Sequence, residues 1–338
     1  MKIVDNSMIS KDKWDTYVLN NPLGNVYHSS MMFNAFKACE GLVPFALFAL
    51  DENSQICGII VGYIQTISKG LLSILTRRSV ITQSPLYADC STLDLLLESY
   101  DRLVKPKVVY SEIRNHFSCS DSIGLFEKYD FRYKPHLNYH VECSSLEVTW
   151  KRISESKRRQ IKKAVKKGVA ILDDPTESQA LEFYKILKDL YDNKIRKPIF
   201  AWDYFKALYD AKSENYCTKF LLIQAHDKII GGIVCPISST DTIHEAYIAG
   251  LDLEYKDEFP SIMATWAAIE YACIHGIGKF DFMGAGSPDD DYGVRDFKSK
   301  FGGDLVEYGR FEAIHSRAKF MIAKTGFKLM QKLSRKLW

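Results

Sequence analysis

Apolar and polar positions divide the chain into short segments, and two of those segments repeat one plan. Residues 45–66, FALFALDENSQICGIIVGYIQT, read as an apolar strand, a polar turn opening at Asp51, and a second apolar strand through Gly58. Residues 220–238, FLLIQAHDKIIGGIVCPIS, keep the same order, with the turn at Asp227 and Lys228 and IGGIV standing where CGIIV stood. Both predict a β-hairpin with glycine early in the return strand. Helical text precedes each one: SSMMFNAFKACEG before the first, ESQALEFYKILKDLYDNK and WDYFKALYDAK before the second. After the second come TIHEAYIAGLDLEY, SIMATWAAIEYACIHG and the strand KFDFMG. Two mixed α/β domains related by duplication are the economical expectation. Chance recurrence of a common turn pattern is the alternative.

Two further segments are marked by charge. In SSLEVTWKRISESKRRQIKKAVKKGV (144–169), Ser144 with Glu147 predicts a capping box and Gly168 a C-terminal stop. Nine Lys/Arg against the single acid Glu155 fall between Lys151 and Lys167, which predicts a helix with a strongly positive surface. The last segment, HSRAKFMIAKTGFKLMQKLSRKLW, carries seven Lys/Arg and no acid, with apolar residues at helical spacings. It predicts a basic amphipathic helix.

Length adds a domain count: 338 residues exceed what one core usually fills. No run reaches the roughly 18 apolar residues of a membrane span, and MKIVDNSMISKDKWD has no apolar signal core, so a cytoplasmic protein is expected. The eight cysteines stand singly without ligand spacing, and are expected to be small buried hydrophobes in a reducing compartment. The net charge of +3 says little about partners.

The densest chemistry lies in FDFMGAGSPDDDYGVRDFKSKFGG, residues 280–303. Gly284 and Gly286 begin a dinucleotide fingerprint, but Asp289 stands at its third position and no helix follows directly. The Walker lysine and hydroxyl pair is absent. Asp289, Asp290 and Asp291 are adjacent rather than spaced around an ion, so a solvated turn is expected and no metal. His244 and His275 lie in strand and helix text without a nucleophile signature, and no hydrolase triad is predicted. In AGLDLEYKDEFPSIMATWAAIEYA the turn before the helix is acidic and lacks glycine, where acetyl-CoA-dependent N-acetyltransferases place a pyrophosphate loop.

KRRQIKKAVKKGV, DKIIGGIVCP, IAGLDLEYKDEFPSIMATWAAIEYACIHGIGKFDFMGAG and above all FKSKFGG resemble the FemABX peptidyltransferases and their BioF2-like acyltransferase relatives. The resemblance runs nearly the whole chain and is strongest from 140 to 305. It implies an α/β fold with mixed sheets, two tandem N-acetyltransferase-like (GNAT) domains, and no coiled-coil arm. The expected bounds are 1–143 for the first domain and 144–315 for the second. Residues 316–338 would form the basic helix, returning to pack on the first domain.

The function so implied is aminoacyl transfer from an aminoacyl-tRNA donor to an amine on the stem peptide of a UDP-linked or lipid-linked peptidoglycan precursor, without cofactor. The localisation expected is cytoplasmic, with peripheral contact at the inner face of the cell membrane left open. Lys298 matches the lysine of the family's FK element, and is expected to stabilise the developing oxyanion or hold the tRNA 3′ end. Lys37 and Arg196 match residues that border the groove for the acceptor phosphates. Lys157, Arg158, Arg159, Lys162 and Lys163 are the expected nucleic-acid contacts. Near the place of a family acid stand Arg114 and Asn115, with Glu112 upstream, so no general base is assigned. The alternatives are an acyltransferase of a surface-polysaccharide or lipid pathway using acyl-CoA or an acyl carrier protein, and a non-catalytic nucleic-acid or membrane-surface binder.

Overall fold

Residues 1–66, 73–211, 213, 215–238, 241–289 and 293–335 are described by the computed structural model, with side chains as far as residue 326. Both hairpins form. The first joins the strands Leu42–Leu50 and Ile56–Thr66, and the second joins Tyr216–Ala225 and Lys228–Ser238. Each turn is set by local chemistry. The Asp51 carboxylate accepts from the amides of Asn53 and Gln55. His226 and Asp227 both adopt positive φ, the backbone that a two-residue hairpin needs to match strand twist. The return-strand glycine also has a use: a Cβ on Gly58 would stand 2.7 Å from Thr92 and 2.8 Å from Leu96, on the helix Cys90–Leu103 that covers this sheet.

The chain forms two units, Met1–Pro135 with Tyr308–Trp338, and His136–Glu307. In the first, the sheet order is Lys2–Asp5, Leu42–Leu50, Ile56–Thr66, Arg77–Ile81, Tyr110–Arg114, Arg310–Ile314, Arg132–Lys134. In the second it is Ala170–Leu172, Tyr216–Ala225, Lys228–Ser238, Thr242–His244, Lys279–Asp281, Leu137–Glu142, Asp304–Glu307. The two orders correspond strand for strand, down to one parallel pair in each: Arg77–Ile81 beside Tyr110–Arg114, and Thr242–His244 beside Lys279–Asp281.

The correspondence also explains where the expected boundary of 143 departs from the observed units. Leu137–Glu142 follows the first half in sequence but pairs in the second sheet, and Arg310–Ile314 follows the second half but pairs in the first. Each sheet therefore takes one strand from the other half of the sequence, an exchange that apolar patterning does not register. The final helix, Arg317–Arg335, lies in the first unit, where Phe320 faces Tyr110 at 5.5 Å.

Each unit has its own core. The helix Pro260–Ile274 packs Met263, Ala264, Ala267 and Ala268 against the second sheet, and Phe280, Phe282 and Phe301 are wholly buried beside them. Burying one such phenylalanine contributes about 1.5–3 kcal/mol. The basic text at 151–167 is two helices, Leu146–Arg152 and Glu155–Lys166. Ser154 caps the second through the Lys157 amide, and Gly168 ends it at φ +83°. Ser145, not Ser144, precedes the first, without a capping side-chain bond. The cysteines are free, and Cys90 is exposed rather than buried.

Candidate functional site

The second unit holds a buried polar cluster where the parallel strands Thr242–His244 and Lys279–Asp281 end side by side. After Asp281 the chain leaves the strand through Met283 at φ +59° and Gly284 at φ +136°, which turns the carbonyls of Phe282 and Gly284 to one side. Lys298, from the helix Gly293–Ser299, donates to both, at 2.7 and 2.9 Å. Its third partner is Glu245, at 2.8 Å from Nζ to Oε1. Arg295, one turn earlier on that helix, donates to the carbonyls of Ala285, Ser287 and Pro288. Residues 282–288 are thus neither a phosphate cradle nor an ion loop, but a loop whose carbonyls are clasped by two cations. Asp290 and Asp291 lie outside the described residues.

Asp281 is the second acid of the cluster. Its Oδ1 accepts from Asn138 Nδ2 at 2.6 Å and from the Met283 amide at 2.7 Å. Its Oδ2 lies 3.4 Å from His140 Nε2 and 3.7 Å from His244 Nδ1. Asn138 Oδ1 in turn accepts from the Gly284 amide, which ties the turn to the neighbouring strand. Glu245 Oε2 is buried and has no hydrogen-bond partner among the described residues. Burial pushes the Glu245 carboxyl above its ordinary value; Lys298 opposes that shift, and Asp281 adds to it.

FKSKFGG is explained position by position. Phe301 fills the core, and Phe297 packs on it at 5.3 Å between ring centres. A Cβ on Gly302, at φ +81°, would lie 2.5 Å from the Arg152 carbonyl oxygen, and one on Gly303 would lie 2.9 Å from that of His140. Lys298 points inward, whereas Lys300 is half-exposed and pairs with Asp296 at 2.5 Å. All three N–H directions of Lys298 are therefore occupied, and an oxyanion contact would require one of them to be given up.

The other expected site residues are dispersed. Lys37 is exposed in the last turn of the helix Ser30–Ala38 in the first unit. Arg196, in the second, ends the segment Leu190–Ile195 in a left-handed conformation, with its amide donating to Tyr191 O at 2.7 Å. Of the five basic residues expected to contact nucleic acid, Lys157 is a correction: it is buried, with Nζ 4.4 Å from the Phe297 ring centre, and burial lowers its pKa. Its methylenes and charge serve packing rather than a surface. Arg158 is half-buried, while Arg159, Lys162 and Lys163 are exposed. Lys163 pairs with Asp257 at 2.9 Å.

Glu112 in the first unit is buried between Arg114 and Arg310, each 2.9 Å away. Burial alone would raise its carboxyl, but the two guanidiniums overcome that and hold it at about 2. Burial and the adjacent Arg114 depress Arg310, whose ordinary value lies so high that it stays cationic. Glu112 is thus locked in its ionised form and is a poor proton acceptor near neutrality.

His140 and His244 flank Asp281, an assembly that the strand text around His244 does not announce. Glu245, Asp281, His140 and Asn138 carried no motif. Their one signal was polar residues inside otherwise apolar strand text, as in TIHEAY and FDFMG.

The helix N-terminus after the acidic turn is closed. Asp252 accepts from both the amide and the hydroxyl of Ser261, and Lys163 and Lys167 bind Asp257 and Glu258 of the same turn.

Residues 233–327 match the model of the FemAB family. That segment contains Glu245, Asp281 and Lys298. Curated proteins yield no match to this sequence. Among solved structures, FemX is 14% identical, with 93% of this chain and 97% of that chain covered at a TM-score of 0.69. L-PGS from Bacillus licheniformis is 12% identical, with 94% and 96% covered at 0.57. A tandem GNAT protein from the clavulanic acid biosynthesis pathway is 8% identical, with 93% and 98% covered at 0.56. These likenesses establish the tandem N-acetyltransferase-like fold, and with the family match they bear out the Fem resemblance.

Proposed function

We propose that this chain is an acyltransferase that moves an aminoacyl group from aminoacyl-tRNA to an amine on the stem peptide of a peptidoglycan precursor. The FemAB match and the fold support the reaction class. The observation that carries the choice of donor is the closed helix N-terminus: a pyrophosphate would meet the Asp252 carboxylate on the amide it needs, inside an acidic turn. A tRNA ester makes no such demand.

In the proposed step, the neutral amine attacks the ester carbonyl carbon. A C–N bond forms, the ester C–O bond breaks, and the proton lost by the amine passes to Glu245 and then to the departing ribose oxygen. A carboxylate whose pKa is raised by burial is suited to take that proton. Lys298 is the positioning residue that holds Glu245 and the 282–284 carbonyls, and a contact from it to the oxyanion would require it to exchange a carbonyl for the substrate. Lys37 and Arg196 remain the proposed contacts for acceptor phosphates, and Arg158, Arg159, Lys162 and Lys163 those for the donor RNA. The fold likeness to the C-terminal domain of a putative lysylphosphatidylglycerol synthetase from Agrobacterium fabrum, 12% identical with 93% and 94% covered at a TM-score of 0.55, favours a lipid acceptor as the second reading.

Transfer of radiolabel from a pool of charged tRNAs to a UDP-linked or lipid-linked muropeptide tests both readings, with phosphatidylglycerol and acyl-CoA arms alongside. Label on the muropeptide from a charged tRNA is the expected result. Label on the lipid alone would move the acceptor to the second reading. Product only in the acyl-CoA arm would overturn the choice of donor.

A further inference from the structure

The final helix presents a surface that neither the fold nor the proposed chemistry uses. Successive residues of a helix turn by about 100°. Phe320 and Ala323 are half-buried on the side that faces the first unit, while Met321 and Ile322 turn away from it and are each 58% exposed. The short helix Ser73–Thr76 touches this helix and adds Ile74, which is 52% exposed. Arg317, Lys319 and Lys324 are exposed beside these residues. The sequence continues the pattern through Lys328, Lys332, Arg335 and Lys336, with no acid anywhere from Arg317 to Trp338.

We infer that this helix docks the first unit on an anionic lipid surface. Exposed apolar side chains among unopposed cations fit a membrane interface, where the apolar groups enter the acyl boundary and the cations meet lipid phosphates. A nucleic acid would satisfy the cations but would leave Met321 and Ile322 in water, and neither offers a ring for base stacking. The inference does not rest on the acyl-transfer reading, and its test involves no turnover.

The experiment is co-sedimentation of the full chain with vesicles of phosphatidylcholine alone and of phosphatidylcholine with phosphatidylglycerol, with and without competing tRNA. We expect binding to the anionic vesicles only, weakened by salt. K319E/K324E should lower partitioning about fivefold or more for each charge. M321E/I322E should lower it comparably while leaving the thermal melt nearly unchanged, since both side chains are mostly exposed. Equal binding to both vesicles, no binding, or anionic binding indifferent to M321E/I322E would each overturn the inference. So would tRNA binding lost in K319E/K324E without any vesicle binding, which would assign the cations to RNA.

Discussion

Glu112 and Asp281 occupy matched strands of the two sheets, each strand a member of the parallel pair described for its unit. Around Glu112 there are two guanidiniums for one carboxylate. Beside Asp281 lie two imidazoles, His140 and His244, and a second acid, Glu245, which pairs with the Lys298 ammonium. Matched strands of the two sheets therefore carry an acid fixed in its charged form in the first unit, and in the second an acid beside a buried carboxyl whose pKa is raised. An excess of cation makes a structural anchor. Burial, with Asp281 nearby, makes of Glu245 a group that can take up a proton, which is why the proposed chemistry belongs to the second unit.

The sharpest way to break this contrast is Lys298→Ala. It leaves the Glu245 carboxylate buried without its cation, and should cost about 3–5 kcal/mol in a denaturant melt, besides abolishing transfer. The cost follows from burial, since a solvated lysine could be removed with little loss of stability. K298M/E245Q removes both charges and should regain most of the stability without regaining transfer. Recovery of transfer would refute the role given to the pair.

Next in size is the pH dependence, where the two acids should act with opposite sign. The Glu112 carboxyl is depressed, so its contribution is present above the unfolded value near 4.5 and is lost as pH falls toward about 2. Its full size is about 3 kcal/mol. Urea melts across acid pH should show that loss, and Glu112→Gln should remove it. The Glu245 carboxyl is raised, so ionising it in the native state costs stability as pH climbs through its folded value. Glu245→Gln should remove that loss, while lowering transfer by about a hundredfold with little change in KM. A Glu245→Gln enzyme with unchanged turnover would return the proton-acceptor role to another group.

Gly302→Ala should cost about 1–3 kcal/mol, through the left-handed backbone and the clash with the Arg152 carbonyl. That effect reports on the support beneath the clasp rather than on the charges. Smallest of all, Lys300→Ala should change stability by less than about 0.5 kcal/mol, because its partner Asp296 sits on the surface. Equal losses from Lys298→Ala and Lys300→Ala would mean a diffuse basic patch, and the comparison between buried and exposed lysines would fail.

Local chemistry was legible in the chain. Apolar alternation and the polar turn text opening at Asp51 and at Asp227–Lys228 announced both hairpins, although the second turn falls one residue earlier, at His226 and Asp227, and Gly168 announced a helix end, because such features depend on neighbours in sequence. The family resemblance singled out FKSKFGG, and the segment does lie at the cluster. What it could not convey was direction. Lys157, Lys298 and Lys300 are the same residue type in basic text, yet two of them turn into the protein and one faces water. That depends on aromatic rings and carbonyls that only folding delivers.

The sequence by itself determined the elements, the duplication and the sign of the charge on the helices at 146–166 and 317–335, since each follows from periodicity and composition over a few turns. Tertiary structure alone decided the exchange of strands 137–142 and 310–314 between the sheets. It also brought together Asn138, His140, His244, Glu245, Asp281 and Lys298, from stretches as far apart as residues 138 and 298. Backbone pairing between distant strands set both outcomes, and no local pattern encodes which strand will fill the place beside another.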